Sequence, residues 1–319
     1  MEGEWTVKHK KTALAFSGLV LILAACSGDE TEETTEENQG SSGTGNVQLE
    51  EMEGTIEHVH GIGYTDAEGV TFASHDGLKV YKDNEWMESP HHKNDYMGFN
   101  ATEEGMYVSG HPGASSDLPN PLGLQKGKVK KQELESLRFT GESDFHLMGV
   151  GYENEAIYLL NSQPDDNLDT GFHRSFDGGE TFEAMAAENL PEKLFQLAVH
   201  PSDEEMVAAA AESGVFLSTD AGETFERISE TGQASGLTFT GNQLYFGLLQ
   251  NEASFQTYDL ESETITDIPL PDFGQDAVLY SAVHPEKEEL TIFTMNGSSY
   301  MTEDEGETWK SILTEGEPG

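Results

Sequence analysis

The chain has 319 residues, 60 of them acidic against 16 Lys plus Arg, for a formal net charge of −44 and a pI near 4.2. That balance excludes nucleic acid as a partner, because neutralising phosphates needs clustered Lys and Arg. A single cysteine excludes an internal disulfide. The acid excess runs through the whole chain, which fits a salty or alkaline exterior better than a dedicated cation-collecting face.

Residues 1–25 carry a basic patch, Lys8, Lys10 and Lys11, and then an apolar run over residues 13–25. The run is too short to span a bilayer comfortably and has the shape of a secretory signal. It ends in Leu23-Ala24-Ala25-Cys26, which resembles the bacterial lipobox. That resemblance implies removal of residues 1–25, lipidation of Cys26, and anchorage at the outer face of the cell membrane. Residues 26–54 are rich in Asp, Glu, Thr, Ser and Gly, too poor in apolar side chains to offset their ordering entropy, and are expected to form an acidic disordered tether.

The remainder is repetitive. Ser175-x-Asp177-x-Gly179-x-Thr181-Phe182 recurs as Ser218-x-Asp220-x-Gly222-x-Thr224-Phe225 and as Thr302-x-Asp304-x-Gly306-x-Thr308-Trp309. Such a pattern describes a tight hairpin in which Asp accepts hydrogen bonds from the turn, Gly supplies a backbone angle other residues resist, and the aromatic ring packs under the turn. A second signature, a small residue followed by an apolar one, occurs at Gly61-Ile62, Gly98-Phe99, Gly149-Val150, Ala198-Val199, Gly236-Leu237 and Ala282-Val283. Each is followed by a turn and a β-prone strand. The six copies predict an all-β, six-bladed β-propeller over residues 55–315, with residues 316–319 as a tail. In copy five the hairpin motif has decayed to Thr257-x-Asp259, and in copy one Ser74-His75-Asp76-Gly77 is its expected remnant. The Ala-rich run ending at Ala211 has helical propensity, yet its place in the repeat makes it a strand.

The hairpin motif resembles the Asp box, or BNR repeat, of sialidase-like propellers. With the lipobox, His58-x-His60-Gly61-Ile62-Gly63, Ser109-Gly110-His111-Pro112-Gly113 and Phe172-His173-Arg174-Ser175-x-Asp177-Gly178-Gly179, the chain resembles Bacillota lipoproteins named as glycosylhydrolases. It is also similar to sortilin-type and photosystem-assembly propellers, which bind proteins. Sialidases grip the substrate carboxylate with three arginines. This chain has only Arg138, Arg174 and Arg227, and Arg174 and Arg227 flank hairpin motifs, which puts both on rim hairpins rather than on channel-lining strands. The resemblance therefore implies a fold and, if the protein is an enzyme, a glycoside hydrolase other than a sialidase.

Aligning the six copies brings His58, His60, Asp95 and His146 to the start of the inner strands of the first three blades. His58 and His60, two apart, are expected to share a strand face. His75, His91, His92 and His111 lie nearby, so seven of the eleven histidines gather in this region. His200 and His284 stand in Val-His-Pro turns and are expected to be turn residues. Imidazoles and a carboxylate converging on a channel mouth suit a divalent transition metal or acid–base chemistry, with His91, His92 and His111 as further ligand candidates. Polar channel lining bonded to water and backbone is the alternative. The expected function is a surface-anchored propeller that binds a metal, glycan or protein ligand as a monomer. The alternatives are a glycoside hydrolase acting on envelope or environmental glycans, with Tyr96, Phe145, Phe195 and Tyr280 as candidate sugar platforms, and an extracytoplasmic assembly or scaffold factor.

Overall fold

A computed structural model describes residues 48–319; the signal-like run, Cys26 and residues 26–47 of the expected tether lie outside them. The described residues form strands and turns without a helix. The strands make six antiparallel sheets, each drawn from one continuous run of chain: residues 50–88, 95–138, 148–184, 194–227, 233–268 and 278–318, here blades 1 to 6. Their innermost strands are Gly61–Tyr64, Asp95–Thr102, Met148–Val150, Leu194–Val199, Gln233–Phe239 and Val278–Val283. Each touches the next, and the sixth touches the first. This closed ring is the expected six-bladed β-propeller.

The recurring small residue is where neighbouring blades meet. A Cβ added at Gly98 would lie 2.3 Å from the carbonyl oxygen of Phe145 in the run leading into blade 3, and one at Gly149 would lie 3.1 Å from Leu197 in blade 4. At Gly61 it would meet Phe99 at 3.1 Å, and at Gly236 it would meet Val278 at 3.0 Å. Side chains then stitch one inner strand to the next. Asn100 donates to the Met148 carbonyl and accepts from the Val150 amide, both at 3.1 Å. Gln196 does the same to both backbone groups of Leu237, and Thr238 and Ser281 join blades 5 and 6.

Six apolar clusters fill the six joints. The joint between blades 6 and 1 packs Phe72, Trp86, Phe293, Ile312 and Leu313, and the Trp86 indole donates to the Ile312 carbonyl at 3.0 Å. The five consecutive buried residues of Val207–Ala211 form a strand, as the repeat requires. Alanine fits there because the strand packs on both faces, against blade 3 and against blade 5.

The three hairpin motifs fold alike, between the third and fourth strands of blades 3, 4 and 6. In each, the glycine amide donates to the first Ser or Thr hydroxyl at 2.9, 3.0 and 3.1 Å. The later Thr amide donates to the Asp Oδ1 at 2.9, 2.9 and 2.8 Å. The glycines hold φ of 94°, 82° and 88°, a region that disfavours side chains. Phe182, Phe225 and Trp309 reach back to the preceding blade's joint. In blade 5, Asp259 still accepts from the amides of Glu261 and Ser262. Blade 1 departs from expectation: Ser74-His75-Asp76-Gly77 turns between its second and third strands, so it is no remnant of the motif. A Ser hydroxyl accepting from the amide two residues on suits any tight turn, and Ser74 does this for Asp76. Two short strands also extend the propeller past its expected bounds. Glu50–Glu51 pairs with the outer edge of blade 1 beside a buried Met52, and Glu317–Pro318 pairs in blade 6.

Gly98→Ala is expected to destabilise the fold by about 2 kcal/mol, since the new methyl group must displace backbone. Gly241→Ala, which meets nothing within 4 Å, should be near neutral; denaturant unfolding of the two variants checks this. The motif aspartates give an acid signature. Hydrogen bonds from Thr181 hold the Asp177 carboxyl down at about 2, against an ordinary value of 3.8. Those from Thr224 and Thr308 lower Asp220 and Asp304. A carboxyl depressed on folding contributes stability above its unfolded value and loses it as pH falls through its folded one. Thermal stability should therefore drop between pH 3.8 and about 2, and less steeply in the Asp177→Asn, Asp220→Asn, Asp304→Asn variant.

Candidate functional site

The ring encloses a cavity of about 430 Å³, within the range of small-molecule sites. His60, Met97, His146 and Phe195 line it where the inner strands begin, and Tyr152, Pro201, Gly241 and His284 line it where they end.

The far end is structural. His200 is buried; its Nδ1 accepts from the amides of Ser202 and Asp203, and its Nε2 lies 3.1 Å from the Gly241 carbonyl of blade 5. His284 accepts from the Glu286 amide, its ring 4.8 Å from that of Tyr64. Both are turn residues, as their sequence setting indicates.

The near end gathers four of the other histidines into two groups. In the first, donor atoms of His60, His75 and Asp95 all lie within 4.8 Å of one another. Three separate segments supply them: the residue before blade 1's inner strand, the next hairpin of blade 1, and the first residue of blade 2's inner strand. The His75 ring stacks on that of His60 at 4.7 Å and on that of His58 at 4.8 Å. Its Nε2 stands 3.6 Å from Asp95 Oδ1, too far for a hydrogen bond. His60 Nε2 and Asp95 Oδ1 are buried with no hydrogen-bond partner. Burial, reinforced by the neighbouring His75, shifts His60 down from its ordinary range, so its ring presents a lone pair rather than a charge.

The second group is His111, Asp144 and His146, again within 4.8 Å. Asp144 Oδ2 lies 2.5 Å from His146 Nε2 and 3.3 Å from His111 Nε2. The hydrogen bond with Asp144 raises His146 above its ordinary range. The groups adjoin, because Asp95 sits directly opposite His111 in the ladder of blade 2.

Of the sequence-derived ligand set, the structure brings His60 and Asp95 into one group and His146 and His111 into the other. His58 stands beside the first without joining it. It does not share a strand face with His60, because the strand opens only at Gly61 and His58 has a φ of 51°. His91 and His92 belong to neither group; His92 Nε2 lies 3.1 Å from the Gln132 carbonyl. His75 and Asp144 complete the two groups without having been in that set. Asp144-Phe145-His146 offered a signal, an acid two residues before a channel histidine. Of the candidate sugar platforms, Tyr96 and Phe145 are wholly buried in core clusters, whereas Phe195 and Tyr280 do line the cavity. Arg138, Arg174 and Arg227 hold outer strands and turns, bonded to the Glu180 carbonyl, to Ala221 and Glu223, and to Thr231.

No protein-family model matches the chain, and no curated protein is similar to it in sequence. Its fold is similar to that of solved propellers. The GH74 enzyme of Niastella koreensis superposes with a TM-score of 0.55 at 14% identity, over 84% of this chain and 47% of that one. A GH74 xyloglucanase from Xanthomonas campestris gives 0.53 at 13%, over 84% and 47%. The extracellular domain of a one-component system from B. thetaiotaomicron gives 0.52 at 12%, over 84% and 35%. The chain thus spans less than half the length of these proteins, and the likeness is one of fold.

Proposed function

We propose that this protein is a ligand-binding propeller whose histidine-rich mouth holds a divalent transition metal, carried at the outer face of the membrane by a lipid on Cys26. One observation carries the metal reading: two buried polar atoms without partners, His60 Nε2 and Asp95 Oδ1, face a shared space with His75. Buried polar atoms are normally bonded, and orphans gathered from separate segments mark a missing partner. The spacing fits an ion. Two ligands about 2.0–2.1 Å from a tetrahedral zinc stand about 3.4 Å from each other, and His75 Nε2 and Asp95 Oδ1 stand 3.6 Å apart. Two imidazoles and a carboxylate suit zinc, copper, nickel or iron, and they leave a coordination position open. The cavity behind offers room for a small ligand on that position.

Glycoside hydrolysis is the second reading. It draws on Asp95 and Asp144 at one mouth and on Phe195 and Tyr280 in the cavity wall. The GH74 likeness adds only a fold that can host such a site.

The full-length protein, purified without a histidine tag, is expected to retain or take up about one zinc or copper ion in this group. His60→Ala with His75→Ala should weaken that binding more than about 100-fold, since even outer partners of a metal site are worth 10–100-fold. Metal analysis and calorimetric titration check both. Failure to bind either added ion overturns the metal reading. Turnover on a panel of chromogenic glycosides, abolished by Asp144→Asn without metal, would establish the hydrolase instead.

A further inference from the structure

Resting on that reading and extending it, we propose that the mouth holds a second metal position, formed by His111, Asp144 and His146, so that two ions bind side by side.

The observation is a facing pair of acceptors. His111 Nδ1 lies 2.8 Å from Asn120 Oδ1. An amide oxygen only accepts, so the proton of that bond belongs to Nδ1. In the neutral ring, Nε2 is then a bare lone pair. It lies 3.3 Å from Asp144 Oδ2, and a carboxylate also only accepts. Two acceptors at that distance repel unless a proton or a metal ion lies between them, and a third ligand atom close by, on His146, suits a metal ion. The arrangement around His111, one nitrogen donating to a carbonyl oxygen and the other free, is the one that orients metal-binding histidines. Their separation again matches the edge of a tetrahedral site.

The two positions differ in what an ion must displace. In the first, His60 Nε2 and Asp95 Oδ1 have no partner to lose. In the second, the His146–Asp144 hydrogen bond of 2.5 Å must open, and the proton held between them must leave to solvent. The groups are also close. Asp95 and His111 face each other across one ladder, and opposed side chains in such a pair have Cβ atoms about 5 Å apart. Two divalent ions there repel, so the second binds more weakly. Two-step uptake follows, with the first ion at His60, His75 and Asp95.

The test is titration of the metal-free, full-length protein with Cu(II), followed by calorimetry and by electron paramagnetic resonance. Two equivalents are expected, the second at least about ten-fold weaker, with spectral broadening from dipolar coupling once both are bound. His111→Ala with His146→Ala should remove only the weaker equivalent and the broadening. His60→Ala with His75→Ala should remove only the tighter one. The side chains of His111 and His146 are 42% and 56% exposed, so the first variant should keep the parent's circular dichroism and melting temperature. One equivalent in the parent, unchanged by His111→Ala with His146→Ala, overturns the second position and leaves the first standing. Two equivalents that survive that variant also overturn it. No binding in any form overturns both.

Discussion

Close approach at the inner ring governs this structure. Six short strands converge on a cavity of about 430 Å³, and they can do so only where a side chain is missing or is a single methyl group. Gly98 sits where the next blade leaves no room for a Cβ, and Gly61, Gly149 and Gly236 sit where one would fit only tightly. Once the backbones are that close, short polar side chains reach the neighbouring strand. Asn100, Gln196 and Thr238 then satisfy groups that an isolated inner strand would leave unpaired. The apolar clusters outside the ring bury the faces of neighbouring blades against each other. Ring, stitches and clusters are one solution to one packing problem.

The candidate site depends on the same geometry. Most of its residues occupy not the strands but the segments that feed them: His60 immediately before blade 1's inner strand, His75 in a hairpin, and Asp144 and His146 in the run leading into blade 3, while Asp95 and His111 stand at strand ends of blade 2. The rigid ring fixes where those segments end. That is how residues far apart in sequence come within ligand distance. Stacking of His75 on His60 and His58 adds a lateral constraint, holding the rings with nearly parallel planes.

The repeat was legible because its demands are strict. A turn needing φ near 90° shows as Gly at matching places in blades 3, 4 and 6, and a tight joint shows as Gly or Ala at a matching place in each blade. The position of Val207–Ala211 in that repeat outweighed its helical composition. The site was legible only in part. His60, Asp95 and His146 stand at fixed offsets from the small residue, so alignment found them. His75 and Asp144 lie in connections whose lengths vary from blade to blade, so the repeat alignment does not point to them, and only the spacing of Asp144 from His146 hinted at one of the two. The positive φ of His58 breaks the alternation that would have placed it beside His60. Ser74-x-Asp76 misled for a related reason: the hydrogen bonds of a Ser-x-Asp turn do not record which hairpin of a blade they close.

Every blade is a single uninterrupted length of chain, and no sheet mixes strands from the two ends of the described residues. The joint between blades 6 and 1 is made of the same things as the others: an apolar cluster, side-chain bonds such as Trp86 to Ile312, and a backbone bond from Ile56 to Gly316. Mechanically, the ring is a bracelet with no distinct clasp. A chain rewired to start at blade 3 or blade 5, its old ends joined, would meet the same six interfaces, and the histidine mouth would assemble from the same neighbours. Topology leaves the starting point free; the joints alone decide which blade stands next to which.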